Sequence, residues 1–156
     1  MGDHAETIQI DFDPKQISYE YLLELFWTSH NPCRNAWSRQ YMSAVFYHDE
    51  GQQKAIENTR RQFVKTPEQV QTEIAPMTKF WIAEDYHQKY RLRHTAAIDS
   101  ELHAIYPNES DYVNSTAAAR LNGFLDRYGE PDQLEQVIEK LGLSTAAQDL
   151  LRKHVH

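Results

Sequence analysis

The chain opens on an alternation of apolar and polar residues and then changes to a helical period. Ile8, Ile10 and Phe12 alternate with polar neighbours, a pattern typical of a strand with one buried face. Apolar residues at helical spacing begin after Ser18, which is placed to act as an N-cap. The pattern predicts a strand over residues 7–12 and a helix over residues 19–29.

The middle of the chain repeats this order of strand and helix. A short apolar run over residues 42–47 is typical of a strand buried on both faces. Asp49 then precedes a helical pattern that places Gln52, Ile56, Thr59 and Phe63 on one face. Alternation returns at residues 70, 72 and 74, which predicts a third strand. Strands that alternate with helices indicate a layered α and β domain, and this reasoning alone predicts a parallel, three-stranded sheet.

The composition changes after about His94, where the strand signals stop. Three helical patterns follow: one begins at Asp111 behind a Ser110 cap, one begins at Pro131, and the last follows Ser144. We therefore expect two parts, an α and β part over residues 1–93 and a helical C-terminal extension over residues 94–156.

Charge and cysteine content narrow the class of protein. The 156 residues carry a formal net charge of -7, which argues against a nucleic acid or an anionic membrane as partner. The sequence has no run of eighteen apolar residues and no basic-then-apolar leader, so neither a membrane span nor a secretory signal is expected. Cys33 is the single cysteine, which excludes an internal disulfide. These features predict a soluble protein of a reducing compartment, the cytoplasm.

Glu6 is the first candidate for chemistry. It shares parity with Ile8 and Ile10 and therefore points to the apolar face of the predicted strand. Burial disfavours the ionised form of a carboxyl group, and a neutral carboxylic acid near pH 7 can act as a general acid. The alternative is a frayed strand end, where Glu6 simply meets water.

Three other groups of residues are candidates for chemistry. Tyr41 precedes the predicted buried strand and could present its hydroxyl at the strand's end, although a core tyrosine is the usual outcome. Cys33 has Arg34 beside it, but a lone loop cysteine without a resolving partner is normally inert. Asp85 and His87, two residues apart, would face different ways on a helix, so no metal site is expected there.

Several short motifs in a fixed order carry information about family and function that periodicity does not. Residues 2–6 read Gly-Asp-His-Ala-Glu, residues 11–14 read Asp-Phe-Asp-Pro, and residues 30–32 read His-Asn-Pro. Later blocks are Arg-Gln-Tyr at residues 39–41, Thr-Glu-Ile at 72–74, and Ala-Glu-Asp-Tyr-His-Gln-Lys-Tyr at 83–90. In order and spacing, this set resembles the A-type peptide-methionine sulfoxide reductases from residue 2 to about residue 93.

The resemblance implies an enzyme that reduces the S-epimer of methionine sulfoxide, free or in oxidised proteins. In that family a cysteine thiolate attacks the sulfoxide sulfur while its oxygen is protonated; a thiol resolves the resulting sulfenic acid, and thioredoxin restores the cysteine. Carried over to this sequence, Glu6 would be the acid and Tyr41 would hydrogen-bond the sulfoxide oxygen, with His4 and Tyr41 contacting the substrate. The resemblance implies no bound cofactor and no metal.

The resemblance also implies a fold, and it shows which family motifs this sequence lacks. The fold is α+β, a two-layer ferredoxin-like plait with a mixed sheet, and residues 1–93 would be an N-terminally incomplete version of it. The family's nucleophile lies in a Gly-Cys-Phe-Trp motif that the 156 residues lack, and the loop over residues 31–39 lacks the family's Gly-Asn-Asp. We therefore expect a truncated form of a repair enzyme that is inactive alone. The alternative is a non-catalytic remnant or splice form that acts as a protein-binding module.

Overall fold

The computed structural model of the chain describes residues 4–155, which divide into two compact units. The first unit ends at Phe80 and the second starts at Trp81. The sequence predicts a different boundary, after Arg93, between the part that resembles the reductase family and the helical extension. That boundary stays a prediction. Among the described residues, no helix combines the length and the apolar character needed to cross a bilayer.

Two capped helices frame the first unit. Helix α1 spans Tyr19–Thr28, and the Ser18 hydroxyl accepts a hydrogen bond from the Tyr21 N–H. Helix α2 spans Glu50–Phe63, and the Asp49 carboxylate accepts one from the Gln52 N–H. Each cap satisfies a backbone donor that the first helical turn leaves unpaired. Both predicted N-caps are confirmed.

The sheet of the first unit is a parallel pair. Strand β1 spans Ala44–Tyr47 and strand β2 spans Glu73–Pro76, with Ala44 opposite Glu73. Helix α2 forms the connection between them, as a parallel pair requires. The parallel orientation is as predicted for this pair. The strand predicted over residues 42–47, which corresponds to β1, was expected to be buried on both faces. That prediction is wrong, because the residues of β1 are only half-buried.

The strand predicted over residues 7–12 is absent from the structure. Those residues adopt no regular element, and Ile8 and Ile10 are 81% and 53% exposed. A strand requires a partner for its backbone groups, and the sheet of the described residues contains β1 and β2 only. In residues 4–155, the alternating apolar side chains of residues 8, 10 and 12 neither belong to a sheet nor join a buried cluster.

The core of the first unit is small. Leu23 and Trp27 of α1 pack with Ile56 of α2 and with Val64, and partly buried residues surround them. The indole N–H of Trp27 donates to Thr59 Oγ1 at 3.1 Å, a buried hydrogen bond between α1 and α2. Of the four residues predicted to share the inner face of α2, Ile56 and Thr59 are buried, and Gln52 and Phe63 are half-buried.

The second unit is helical. Its α-helices are α3 Tyr90–Arg93, α4 Ala96–Ile105, α5 Glu109–Asn114, α6 Thr116–Leu125, α7 Pro131–Glu135 and α8 Thr145–Val155. Short 3₁₀ turns lie at Asp85–His87 and Ile138–Lys140. Fourteen buried residues from Leu92 to Leu151 form one cluster, so these helices supply their own core.

Two of the three predicted tail helices are shorter than expected. The pattern that begins at Asp111 is divided, because Ser115 is extended and caps α6 by accepting from the Ala118 N–H. Asn108, and not Ser110, caps α5. The pattern that begins at Pro131 gives α7 and a 3₁₀ turn. The last helix, α8 after Ser144, is as predicted.

A buried tyrosine ties three helices of the second unit together. The fully buried Tyr112 donates its hydroxyl to Asp99 Oδ1 at 2.5 Å, and its ring stacks on His103 with centroids 4.1 Å apart. The Arg93 guanidinium lies 4.8 Å from the same ring and pairs with Glu109. Burial, followed by the hydrogen bond to Asp99, raises the pKa of Tyr112 well above its ordinary value.

Candidate functional site

Two hydrogen bonds hold Glu6 against Gln40. The Glu6 N–H donates to the Gln40 carbonyl at 2.9 Å, and the Gln40 side-chain amide donates to Glu6 Oε1 at 2.7 Å. The two residues are 34 positions apart, so this contact is tertiary. It brings the carboxyl of Glu6 beside the residue that precedes Tyr41. The two residues predicted to carry the chemistry thus lie in adjoining segments.

The surroundings of Glu6 differ from those predicted. Its side chain is exposed, so the inference that it faces an apolar interior is wrong for the described residues. The physical reason is the missing strand, since parity orients a side chain inward only where a sheet is covered. Its carboxylate is instead oriented by the amide of Gln40.

Tyr41 lies in the turn that leads into β1 and is half-exposed. It is 51% exposed, which agrees with a ring presented at the strand's end and not with a core tyrosine. Its ring stacks on Trp37, with centroids 5.0 Å apart and planes 26° from parallel. Trp37, which sequence reasoning passed over as part of a loop without period, is 79% exposed. Two solvent-exposed aromatic rings are therefore stacked on each other in the loop before β1.

An open cavity of about 360 Å³ lies beside this ring pair. Its wall mixes aromatic, cationic and neutral polar side chains: His30, Asn31, Arg34, Asn35, Ala36, Trp37, Tyr41 and Ser43. This wall is more polar than the predominantly apolar lining that is usual for a small-molecule site, and Trp37 and Tyr41 supply most of its apolar surface.

His30 links the end of α1 to the start of β2. Its Nδ1 lies 2.6 Å from the Phe26 carbonyl and its Nε2 lies 3.2 Å from Thr72 Oγ1. Because both ring nitrogens have partners within the chain, its role at the cavity wall is structural. This structural role could have been predicted from the sequence, because His30 directly follows a predicted helix, and a histidine there often contacts the last carbonyls of the helix.

The thiol of Cys33 contacts Thr66, and the residue packs against the core of the first unit. Its Sγ lies 3.4 Å from Thr66 Oγ1 and 3.8 Å from the Thr66 carbonyl, and the residue is half-buried. Its neighbour Arg34 lines the cavity, whereas Cys33 is not part of that wall. The view that Cys33 is incidental stays a prediction, and its position supports it.

The other candidates are exposed. His4 is the first described residue and its side chain is exposed; its role in substrate binding stays a prediction. Asp85 and His87 lie in a 3₁₀ turn of the second unit, and both are exposed. Within residues 4–155, no three acidic, histidine or cysteine side chains group in a way that could hold a metal ion.

Comparisons with known proteins give a consistent result. The family model described as peptide methionine sulfoxide reductase matches residues 1–119. A protein of that name from Drosophila melanogaster is 38% identical over 160 residues, covering 99% of this chain and 63% of the relative. Peptide methionine sulfoxide reductase A2 of Arabidopsis thaliana is 37% identical over 97 residues, covering 58% of this chain and 44% of the relative.

The longer matches extend into the second unit. Peptide methionine sulfoxide reductase A5 of Oryza sativa is 30% identical over 149 residues, covering 90% of this chain and 58% of the relative. The chain therefore spans between about two fifths and two thirds of the length of these relatives.

Proposed function

Because the chain belongs to the peptide methionine sulfoxide reductase family, we propose that it takes part in reducing methionine S-sulfoxide, free or in oxidised proteins, to methionine. The observation that carries this proposal is the hydrogen-bonded contact of Glu6 with Gln40, which places the carboxyl next to the segment of Tyr41.

The proposed chemistry is a transfer of oxygen from one sulfur to another. A cysteine thiolate attacks the sulfoxide sulfur, the sulfoxide oxygen is protonated, and the products are methionine and a cysteine sulfenic acid. In this proposal Glu6 supplies the proton, the Tyr41 hydroxyl donates a hydrogen bond to the sulfoxide oxygen, and His4 contacts the substrate. A second thiol converts the sulfenic acid to a disulfide with loss of water, and thioredoxin or another dithiol reduces it.

The exposure of Glu6 adds a condition to this role. A carboxyl donates a proton only in its neutral form, which desolvation favours. Since Glu6 is exposed in the described residues, its donor form requires cover from the bound substrate or from another protein segment. The amide of Gln40 keeps one carboxylate oxygen fixed, which leaves the other available to point at the substrate.

The nucleophile in this proposal is the cysteine of a Gly-Cys-Phe-Trp motif, which residues 1–156 do not contain. We therefore propose that the 156-residue polypeptide is inactive alone and that the chemistry takes place in the cytoplasm. The ferredoxin-like plait with a mixed sheet belongs to the same proposal, in which β1 and β2 would be two of its strands.

An activity assay tests the first part. We expect the purified 156-residue protein to form no methionine from methionine S-sulfoxide in excess dithiothreitol, because residues 1–156 lack the Gly-Cys-Phe-Trp nucleophile and the Cys33 thiol contacts Thr66. Methionine is quantified by amino-acid analysis, with the R-epimer as a control. Stereospecific turnover that Cys33→Ser abolishes would give Cys33 the catalytic role and overturn this expectation.

A longer chain tests the role of Glu6. With a family segment that bears Gly-Cys-Phe-Trp joined ahead of residue 2, Glu6→Gln should slow the single-turnover step by roughly 10²–10⁴-fold, because glutamine keeps the shape but gives up no proton. Glu20→Gln, an exposed carboxyl in α1, is the matched control and should change little. A Glu6→Gln rate within a few-fold of the parent would make Glu6 a structural residue.

A non-catalytic binding module is the second candidate function. The exposed apolar side chains of the first unit favour it, since Ile8, Ile10 and Trp37 present large apolar surface to solvent. Sulfoxide-independent binding of a methionine-containing peptide, together with no turnover in the longer chain, would favour this module over the reductase.

A further inference from the structure

A hydrogen-bonded turn in the first unit holds Arg34 at the cavity wall. The Arg34 N–H donates to the Asn31 carbonyl at 3.2 Å, and the Cys33 N–H donates to Asn31 Oδ1 at 3.1 Å. The Pro32 carbonyl accepts from the N–H and the hydroxyl of Thr72, at 3.2 and 3.3 Å. Because these bonds fix the backbone of the turn, the side chains of Asn31 and Arg34 leave it from defined positions.

The turn also determines which atoms of the Asn31 amide are left for a ligand. The acceptor in an amide side chain is its oxygen, and the Oδ1 of Asn31 already accepts from Cys33. The Nδ2 of Asn31 therefore carries the two donor hydrogens at the cavity wall. Asn35 and Ser43 add further donors to the same wall.

The cavity has a cationic wall although the chain is acidic. The formal net charge is -7, yet the residues that line the cavity include Arg34 and, in the part of the chain that the structure describes, no Asp or Glu. The arginine ion pairs of residues 4–155 do not include Arg34. An arginine without a counter-ion attracts an anion, and its planar guanidinium suits a carboxylate, which accepts two parallel hydrogen bonds.

We propose that Arg34 and Asn31 form a subsite for the α-carboxylate of the substrate, so that the cavity prefers methionine S-sulfoxide with a free carboxylate to an internal residue of a protein. This inference rests on the proposed function and deepens it, since it names the preferred substrate class. Tyr41 lies on the same wall, so one cavity can receive both ends of the ligand. In an internal residue the carboxylate is replaced by a neutral amide, which a guanidinium binds less strongly.

Two kinds of ligand carry this chemistry. Free methionine S-sulfoxide has its α-carboxylate beside an ammonium group, whereas the C-terminal residue of a peptide has the carboxylate and an amide. Arg34 should recognise the carboxylate that both share. Because Arg34 is exposed, solvent weakens the attraction, and we expect an effect on affinity of about 5-fold.

Calorimetric titration of the full 156-residue chain tests the proposal. The probes are free L-methionine S-sulfoxide, N-acetyl-L-methionine S-sulfoxide, and the methylamide of the second compound, which lacks the carboxylate. We expect Arg34→Gln to weaken binding of both carboxylate probes about 5-fold and to leave the methylamide unchanged. Arg34→Lys keeps the charge but not the planar fork, and should retain part of the preference.

Arg61→Gln is the matched control. It removes the same charge from an exposed position in α2 that is not part of the cavity wall, and should leave all three affinities unchanged. Added sodium chloride should weaken binding of the carboxylate probes to the wild-type chain, and this dependence should be lost in Arg34→Gln. Because Arg34 is exposed, its variants should keep the far-ultraviolet circular dichroism of the parent.

The outcomes separate this inference from the proposed function. If the wild-type chain binds the methylamide as tightly as the carboxylate probes, and still prefers the S-epimer to the R-epimer, the subsite is overturned and the proposed function stands. Equal losses for all three probes in Arg34→Gln, or for the carboxylate probes in Arg61→Gln, also overturn the subsite. A loss confined to one carboxylate probe supports the subsite and assigns it to that source. No detectable binding of any probe counts against both proposals.

Discussion

The two compact units of this chain are similar in length and very different in how much they bury. The described part of the first unit has a cluster of four buried apolar residues, whereas the cluster of the second unit has fourteen. The residues that resemble an active site, Glu6 and Tyr41, lie in the first. Binding and catalytic segments are commonly drawn from the less stable parts of a fold, and the site proposed for this chain would follow that rule.

The placement of the apolar residues explains much of the difference in burial between the two units. The second unit places aliphatic residues at helical spacing, and Ile98, Leu102 and Leu121 are fully buried. The first unit leaves Ile8 and Trp37 in solvent. Hydrophobic stabilisation depends on the area removed from water, about 25 cal/mol per Å², and so the second unit should be the more stable one.

The largest expected effect comes from truncating one core residue in each unit. Ile56→Ala and Leu121→Ala each remove a fully buried side chain, which costs about 2–5 kcal/mol. In the first unit that loss should abolish hydrogen-exchange protection, because its cluster has only three other members. In the second unit protection should fall but persist. Retained protection of α1 and α2 in Ile56→Ala would show that the comparison is wrong.

A smaller effect is expected at the buried hydrogen bond of the first unit. Thr59→Val removes the acceptor of the Trp27 indole N–H and should lower the free energy of unfolding by about 1–3 kcal/mol, since a buried donor is left unpaired. Thr28→Val, at an exposed threonine that also bonds back to its helix, is the matched control. Urea unfolding followed by tryptophan fluorescence measures both. Equal losses in the two variants would mean that the indole bond adds nothing.

How far the sequence predicts this fold depends on how local each interaction is. Ser18 and Asp49 bond to backbone groups three residues away, and both caps were predicted correctly. The strand over residues 7–12 depended on a distant partner that alternation cannot reveal. Helix α4 went unpredicted although Ile98 and Leu102 lie four residues apart on one face, a signal that was available.

The candidate site shows the same division. The alternating pattern predicted that the side chain of Glu6 faces a buried surface. In the structure that side chain is exposed and accepts a hydrogen bond from a residue 34 positions away. The stack of Trp37 on Tyr41 depends on the path of an irregular loop. Periodicity carries no information about such a path, which is why the ring pair could not be predicted.

The smallest expected effect concerns pH and the second unit. The hydroxyl and the N–H of Ser144 both donate to Glu101 and lower its pKa. A lowered folded-state pKa means that the stabilisation is present above the unfolded pKa, about 4.3, and is lost as the pH falls through the folded value. Ser144→Ala should raise the pKa of Glu101 in a carboxyl NMR titration and flatten the acid limb of stability. The control is Ser100→Ala, at an exposed serine of α4. An unchanged Glu101 pKa in Ser144→Ala would remove this link between α4 and α8.

Amide chemical-shift mapping tests the central claim, that the open first unit holds the sulfoxide site. The ¹⁵N-labelled 156-residue chain is titrated with the S- and R-epimers of N-acetyl-methionine sulfoxide methylamide and with the parent thioether. The account predicts shifts at Glu6 and over residues 37–41 that are largest for the S-epimer and small for the thioether. Equal shifts with all three compounds, or shifts confined to residues 81–155, would contradict it.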